Sequence, residues 1–232
     1  FLGITSFAHT AVVTSYMIGL AAGSLYFGRK ADSRISPLRT YALLEIGIAV
    51  YAALTPWMFD LLQAGYAGVS GVTGISGMSG HLARFAIALL ALLVPTFLMG
   101  GTLPLLVRGF VSSLPQLGRA TSRLYGINTL GAMTGTLVAG YLLLPALGIV
   151  LATFTGVLIN LGIAVFILRN LADGRIPERA AATDSVPAES DSVRLSPVTP
   201  LPMNGRLSIL VGFGLAGFAS LLTQLAWIRA LI

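Results

Sequence analysis

Charge is what this sequence has least of. Its 232 residues include 14 Lys and Arg and 8 Asp and Glu, so 9% are charged, against about 25% in a typical soluble domain. Cysteine is absent altogether, which excludes a disulfide framework, a thiolate metal site and a cysteine nucleophile. The two histidines, His9 and His81, occur without an HExxH pattern, which argues against zinc-hydrolase chemistry. No residue set points to a metal, a cofactor or a catalytic group. Phe1 lies in an apolar run with no basic segment before it, unlike a signal peptide. The chain is expected to be an internal piece of a longer protein.

What fills the space is apolar. Hydrophobic residues make up 56% and the mean hydropathy is +0.88. Phe1–Gly28, Phe85–Val107, Leu124–Leu168 and Leu207–Ile228 carry no charge at all, and each is long enough for the roughly 20 residues that cross a bilayer. A soluble globular protein, a disordered tail and a nucleic-acid binder are therefore excluded. The pattern predicts an all-α polytopic bundle of six spans, over 2–27, 40–62, 83–107, 123–144, 147–168 and 207–229. Leu124–Leu168 must hold two of them, because 45 helical residues would reach roughly 67 Å, twice a bilayer. Pro145-Ala-Leu-Gly148 supplies the reversal.

The basic residues then set an orientation. Arg29, Lys30, Arg34 and Arg39 lie in loop 28–39; Arg108, Arg119 and Arg123 lie in loop 108–123; Arg169, Arg175, Arg179, Arg194 and Arg206 lie in segment 169–206. All fall on one side of a six-span alternation, leaving Arg84 and Arg229 on the other. The positive-inside rule makes those three segments cytoplasmic. Phe1 then starts outside, which calls for a further span upstream. The +6 net charge is an orientation signal and needs no acidic partner.

Segment 170–206 holds five prolines and 9 of the charged residues, with no apolar stripe. It is expected to be a flexible cytoplasmic linker between a five-helix block, 1–169, and a helix, 207–232, that opens a second block. Glycines recur with period three from Gly65 to Gly80. The expectation is a pliant outer loop, with a re-entrant or lid-like segment as the alternative. Gly212-Phe-Gly214-Leu-Ala-Gly217 matches a dinucleotide fingerprint in letters only, since that motif needs a preceding strand. Inside an apolar helix it predicts close packing, as do Gly19-xxx-Gly23 and Gly131-xxx-Gly135.

Polar groups inside spans are costly, and so they are the candidate site. Glu45 is either a near-interface carboxylate paired with a loop arginine such as Arg39, or a proton or cation site facing a cavity. Asn128, Asn160 and Gln224 are expected to hydrogen-bond between helices or to touch a ligand, and His9 to be a satisfied packing residue. Pro95 and Pro104 bracket Gly100-Gly101, so the third span is expected to bend or partly unwind, as broken helices do at transporter midplane sites.

Several of these stretches carry a family likeness. Gly28-Arg-Lys-Ala-Asp32-Ser-Arg34 resembles the cytoplasmic loop motif of the major facilitator superfamily, in which a Gly, an Asp and basic residues join the second and third helices. The resemblance implies a gating role for Gly28, Asp32 and Arg34, through charge pairs that make and break as the halves rock. Pro95-Thr-Phe-Leu-Met-Gly-Gly-Thr-Leu-Pro-Leu-Leu-Val-Arg108, Leu124-Tyr-Gly-Ile-Asn-Thr-Leu-Gly131 and Gly140-Tyr-Leu-Leu-Leu-Pro-Ala-Leu-Gly148 are similar to the membrane region of the fused facilitator/spermidine-synthase proteins of bacteria. Gly217-Phe-Ala-Ser-Leu-Leu-Thr-Gln224-Leu-Ala-Trp227-Ile-Arg229 resembles that family's first-helix pattern, with Gln224 where the pattern has Glu.

That resemblance implies helices two to six of one facilitator-like repeat followed by the first helix of a second. It implies residence in a bacterial inner membrane, and contacts with the bilayer and with the remaining helices of the same chain. A soluble aminopropyltransferase domain, absent from these residues, and a polyamine-related small molecule would be further partners. The chain would then anchor or serve the synthase domain. A facilitator-type transporter of a small solute, without enzymatic activity, is the alternative.

Overall fold

The computed structural model describes residues 5–31, 36–73, 77–110, 114–170 and 203–231, and these are helical but for Ser36. The helices are α1 (Thr5–Ala31), α2 (Pro37–Thr73), α3 (Gly77–Phe110), α4 (Leu114–Val138), α5 (Leu144–Asn170) and α6 (Met203–Leu231), with a π-helical turn, Ala139–Leu143, between α4 and α5. An apolar chain has to satisfy its backbone polar groups within each segment, and the helix does so. Five helical stretches are long and apolar enough to cross a membrane: His9–Ala31, Pro37–Gly68, Leu82–Gly109, Leu117–Asn170 and Gly205–Ala230. Their outward faces are apolar as well. Leu25, Leu61, Leu90 and Leu158 are all more than 60% exposed, a surface suited to lipid and not to water.

The 54-residue stretch Leu117–Asn170 is broken at Gly148, whose φ of 73° and ψ of 179° leave the helical region. Only glycine takes that conformation without strain. The packing partners show what the break does. On α4, Gly131 meets Gly214 and Gly135 meets Phe218, so α4 runs parallel to α6. On α5, Gly156 meets Thr223 while Ile163 meets Gly212, so α5 runs antiparallel to α6. The chain therefore reverses between α4 and α5, as Pro145–Gly148 predicts.

A second parallel pair is formed by α1 and α3, where Gly19 meets Thr96, Gly23 meets Phe97 and Gly101 meets Phe27. Against them α2 runs antiparallel to α3, with Gly47 on Leu98 and Gly109 on Leu38. At the contacts of both parallel pairs the missing Cβ atoms let backbones touch. A Cβ on Gly131 would strike the Gly214 carbonyl, and one on Gly23 the Phe97 carbonyl. The small-residue spacings thus line helix interfaces, as the sequence indicates.

Two apolar clusters hold the ends of the bundle. One joins Ala31, Leu38, Leu106, Leu124, Ile167 and Ile209, which gathers the C-terminal ends of α1, α3 and α5 with the N-terminal ends of α2, α4 and α6. The other joins Val12, Phe59, Ala88, Leu92 and Trp227 at the opposite ends. Arg29, Lys30, Arg39, Arg108, Arg119, Arg123, Arg169 and Arg206 consequently share one end of the bundle, while Arg84 and Arg229 sit at the other. Arg34, Arg175, Arg179 and Arg194 lie outside the described residues, as does most of the expected linker.

Two expectations need correction, and a third, for the span expected to bend or partly unwind, is narrowed. Most of the glycine-rich segment 65–80 is not a loop: α2 runs through Thr73 and α3 begins at Gly77. The Arg84 guanidinium of α3 stacks 4.5 Å from the Tyr66 ring centre of α2. The third span does not unwind, since α3 is helical through Pro95, Gly100, Gly101 and Pro104. The Ala91 carbonyl, which Pro95 cannot serve, accepts the Tyr51 hydroxyl instead, so that lost donor is replaced from α2. His9, expected to be packed, is exposed on α1.

Candidate functional site

Between the two clusters the bundle leaves a cavity of about 460 Å³, to which all six helices contribute. Its depth follows from α2, where Tyr41, Ala42 and Leu44 belong to the cluster at the arginine-rich end and Ile48 to the other. Glu45 lies between them, 2% exposed, and its residue lines the cavity. The Tyr41 hydroxyl, one turn earlier, is buried beside that carboxyl without closing a regular hydrogen bond to it. No described cationic side chain neighbours Glu45. Arg39, the partner considered from sequence, is exposed at the end of the bundle.

Asn128 of α4 and Asn160 of α5 line the same cavity. The structure thus brings together Glu45, Asn128 and Asn160 from three helices, although 115 positions separate the first from the last. Neither Asn160 nor Gln224 forms the expected interhelical hydrogen bond: Asn160 Oδ1 and Gln224 Oε1 are both buried without a partner among the described residues. Gln224 is not part of the cavity wall. It is buried on α6, and the indole N–H of Trp227, three residues on, likewise has no partner among the described residues.

Other wall residues were not legible as a group. Tyr16, Ser24, Thr102, Tyr125, Thr129 and Ser220 place hydroxyl-bearing side chains around the cavity. Ser220 Oγ lies 3.2 Å from the Met99 sulfur, and the Tyr16 hydroxyl lies beside Ser220. Thr102 turns its hydroxyl onto the Met99 carbonyl at 2.7 Å, and Thr129 onto Tyr125 at 2.8 Å. Such back-bonding lets hydroxyls sit in apolar helices at little cost. The one available signal was their number within uncharged spans, and helical hydroxyls serve packing as often as binding.

Of the loop motif, Gly28 lies near the end of α1, where an added Cβ would come 3.9 Å from Pro104. Asp32 and Arg34 lie outside the described residues. Among the described residues no three His, Cys, Asp or Glu side chains gather into a metal site. The arrangement is a partly open, mostly apolar cavity with one carboxylate and several amide and hydroxyl groups in its wall. No known protein family, curated protein or solved structure matches the chain.

Proposed function

We propose that this chain is the membrane region of a facilitator-like protein of the fused spermidine-synthase type, and that its central cavity is a solute site. In this reading Leu117–Asn170 forms two spans and the bundle has six. The arginine-rich end faces the cytoplasm of a bacterial cell, as the positive-inside rule requires. The sequence motifs support the family. The observation that carries the solute site is Glu45, buried in the cavity wall with no described cation beside it. A carboxylate is retained in such surroundings at a cost of several kcal/mol, and contact with a solute or a proton accounts for it.

A transporter-type role without an enzyme is the second reading, and the cavity is consistent with it, since its described lining residues all belong to the long apolar helices. The complete reading frame separates the two: a soluble Rossmann-like domain after residue 232 supports the synthase association, and a chain of membrane helices alone supports the transporter. For the site, proteoliposomes carrying the full chain are tested with a panel of labelled small polar solutes under an imposed pH gradient. At least one is expected to be taken up, and Glu45→Gln is expected to abolish the pH-dependent part at equal expression. Unchanged uptake rejects Glu45 as the coupling group. No uptake of any solute rejects the transport path and leaves the anchoring role.

A further inference from the structure

We infer that the cavity is a site for a compact organic monocation, a single ammonium group on a short carbon frame. The inference rests on the reading of the cavity as a solute site and puts a monoamine in place of the polyamine-related solute that the family likeness implies. Charge carries the argument. Among the described residues Glu45 is the one formally charged residue in the wall, and no described Lys, Arg or His lines the cavity. The other acid among the described residues, Asp60, is exposed on α2. A cavity with one negative charge and no positive one repels anions and neutralises one positive charge. A di- or tricationic polyamine would carry at least one further charge into the cavity with no second described carboxylate to balance it, and an uncompensated buried charge is strongly disfavoured.

The neutral groups fit the same class. An ammonium brings several N–H donors and needs acceptors. Asn160 lines the cavity, and its Oδ1, buried behind the wall, has no donor among the described residues. Tyr16, Tyr125 and Phe213 add aromatic side chains to the wall, which suit a cation and its carbon frame. The size favours an organic ligand over a bare metal ion. About 460 Å³ falls within the roughly 300–1,000 Å³ of small-molecule sites, and an ion would leave most of it to water.

The test is calorimetric titration of the full chain in lipid nanodiscs with n-butylammonium, putrescine, spermidine and n-butanol. Saturable binding of n-butylammonium is expected, at least tenfold tighter than that of putrescine, spermidine or n-butanol. Glu45→Gln is expected to weaken it at least tenfold, while Glu45→Asp, which keeps the charge, retains the ranking and guards against loss of folding. Putrescine or spermidine binding as tightly as n-butylammonium overturns the single-charge assignment. Equal n-butanol binding, or unchanged affinity in Glu45→Gln, overturns the cation assignment and leaves the solute site standing. No binding of any of the four overturns both.

Discussion

The two parallel seams, α1 against α3 and α4 against α6, are built from the same residue type and differ in what else holds them. Both bring backbones into contact through glycine. At α1/α3 hydroxyls bonded to their own helix also come within reach of the partner: Thr96 Oγ1 lies 2.8 Å from the Leu92 carbonyl and 3.0 Å from that of Ser15, and Ser15 Oγ lies 2.7 Å from the Ala11 carbonyl and 3.2 Å from that of Leu89. At α4/α6 the hydroxyls of Thr129, Thr134 and Thr136 turn back onto their own helix. That seam rests on backbone approach, Gly131 on Gly214 and Gly217 on Asn128. It also borders the cavity through Asn128 and Gly217. Without a hydrophobic drive between helices in lipid, shape has to do at α4/α6 what shape and hydrogen bonds share at α1/α3.

Filling a backbone contact is the most direct way to break the comparison. Gly131→Ala is expected to lower stability by about 1–3 kcal/mol, because the new Cβ meets the Gly214 carbonyl and neither backbone can yield without moving a helix. A thermal melt of the detergent-purified protein reads this as a clear fall in Tm, and an unchanged Tm shows that the seam tolerates separation. Removing a hydroxyl probes the other seam. Thr96→Val is expected to cost about 0.6 kcal/mol, the typical value of an interhelical hydrogen bond in lipid, measured by unfolding in mixed detergent. A loss as large as that of Gly131→Ala would mean that the hydroxyls, and not the glycines, hold α1 to α3. The smallest effect belongs to Gly126→Ala. On the same helix as Gly131 but with nothing within 4 Å of an added Cβ, it is expected to stay within about 0.5 kcal/mol of the parent in the same melt.

Much of the bundle was legible because charge is scarce. With so few charged residues in the helices, Arg29-Lys30, Arg108, Arg169 and Arg206 punctuate the chain almost by themselves, and the structure gathers them at one end. The packing glycines could be read from their spacing because a close helix approach admits few other residues. The helix ends at the other side were harder. Gly65–Gly80 reads as a loop by composition, yet helical propensity is a weak prior and neighbouring contacts such as Arg84 on Tyr66 override it. The same limit applies to Pro95, whose consequence depends on Tyr51 being close enough to cap Ala91. Glu45 could be singled out as a costly residue, but its surroundings come from five other helices. No local pattern distinguishes a carboxylate facing an arginine from one facing a chamber.

The reversal at Gly148 bears on how the polypeptide enters a bilayer. Between Arg123 and Arg169 there is no charged side chain, so the turn that joins α4 to α5 carries nothing that resists passage through hydrocarbon. In the proposed six-span reading the pair can be delivered as a preformed hairpin whose tip crosses first, its backbone groups already satisfied within each arm. A charged residue at the tip would leave the folded contacts of α4 and α5 intact and would act during biogenesis instead, by anchoring the tip on the side of synthesis.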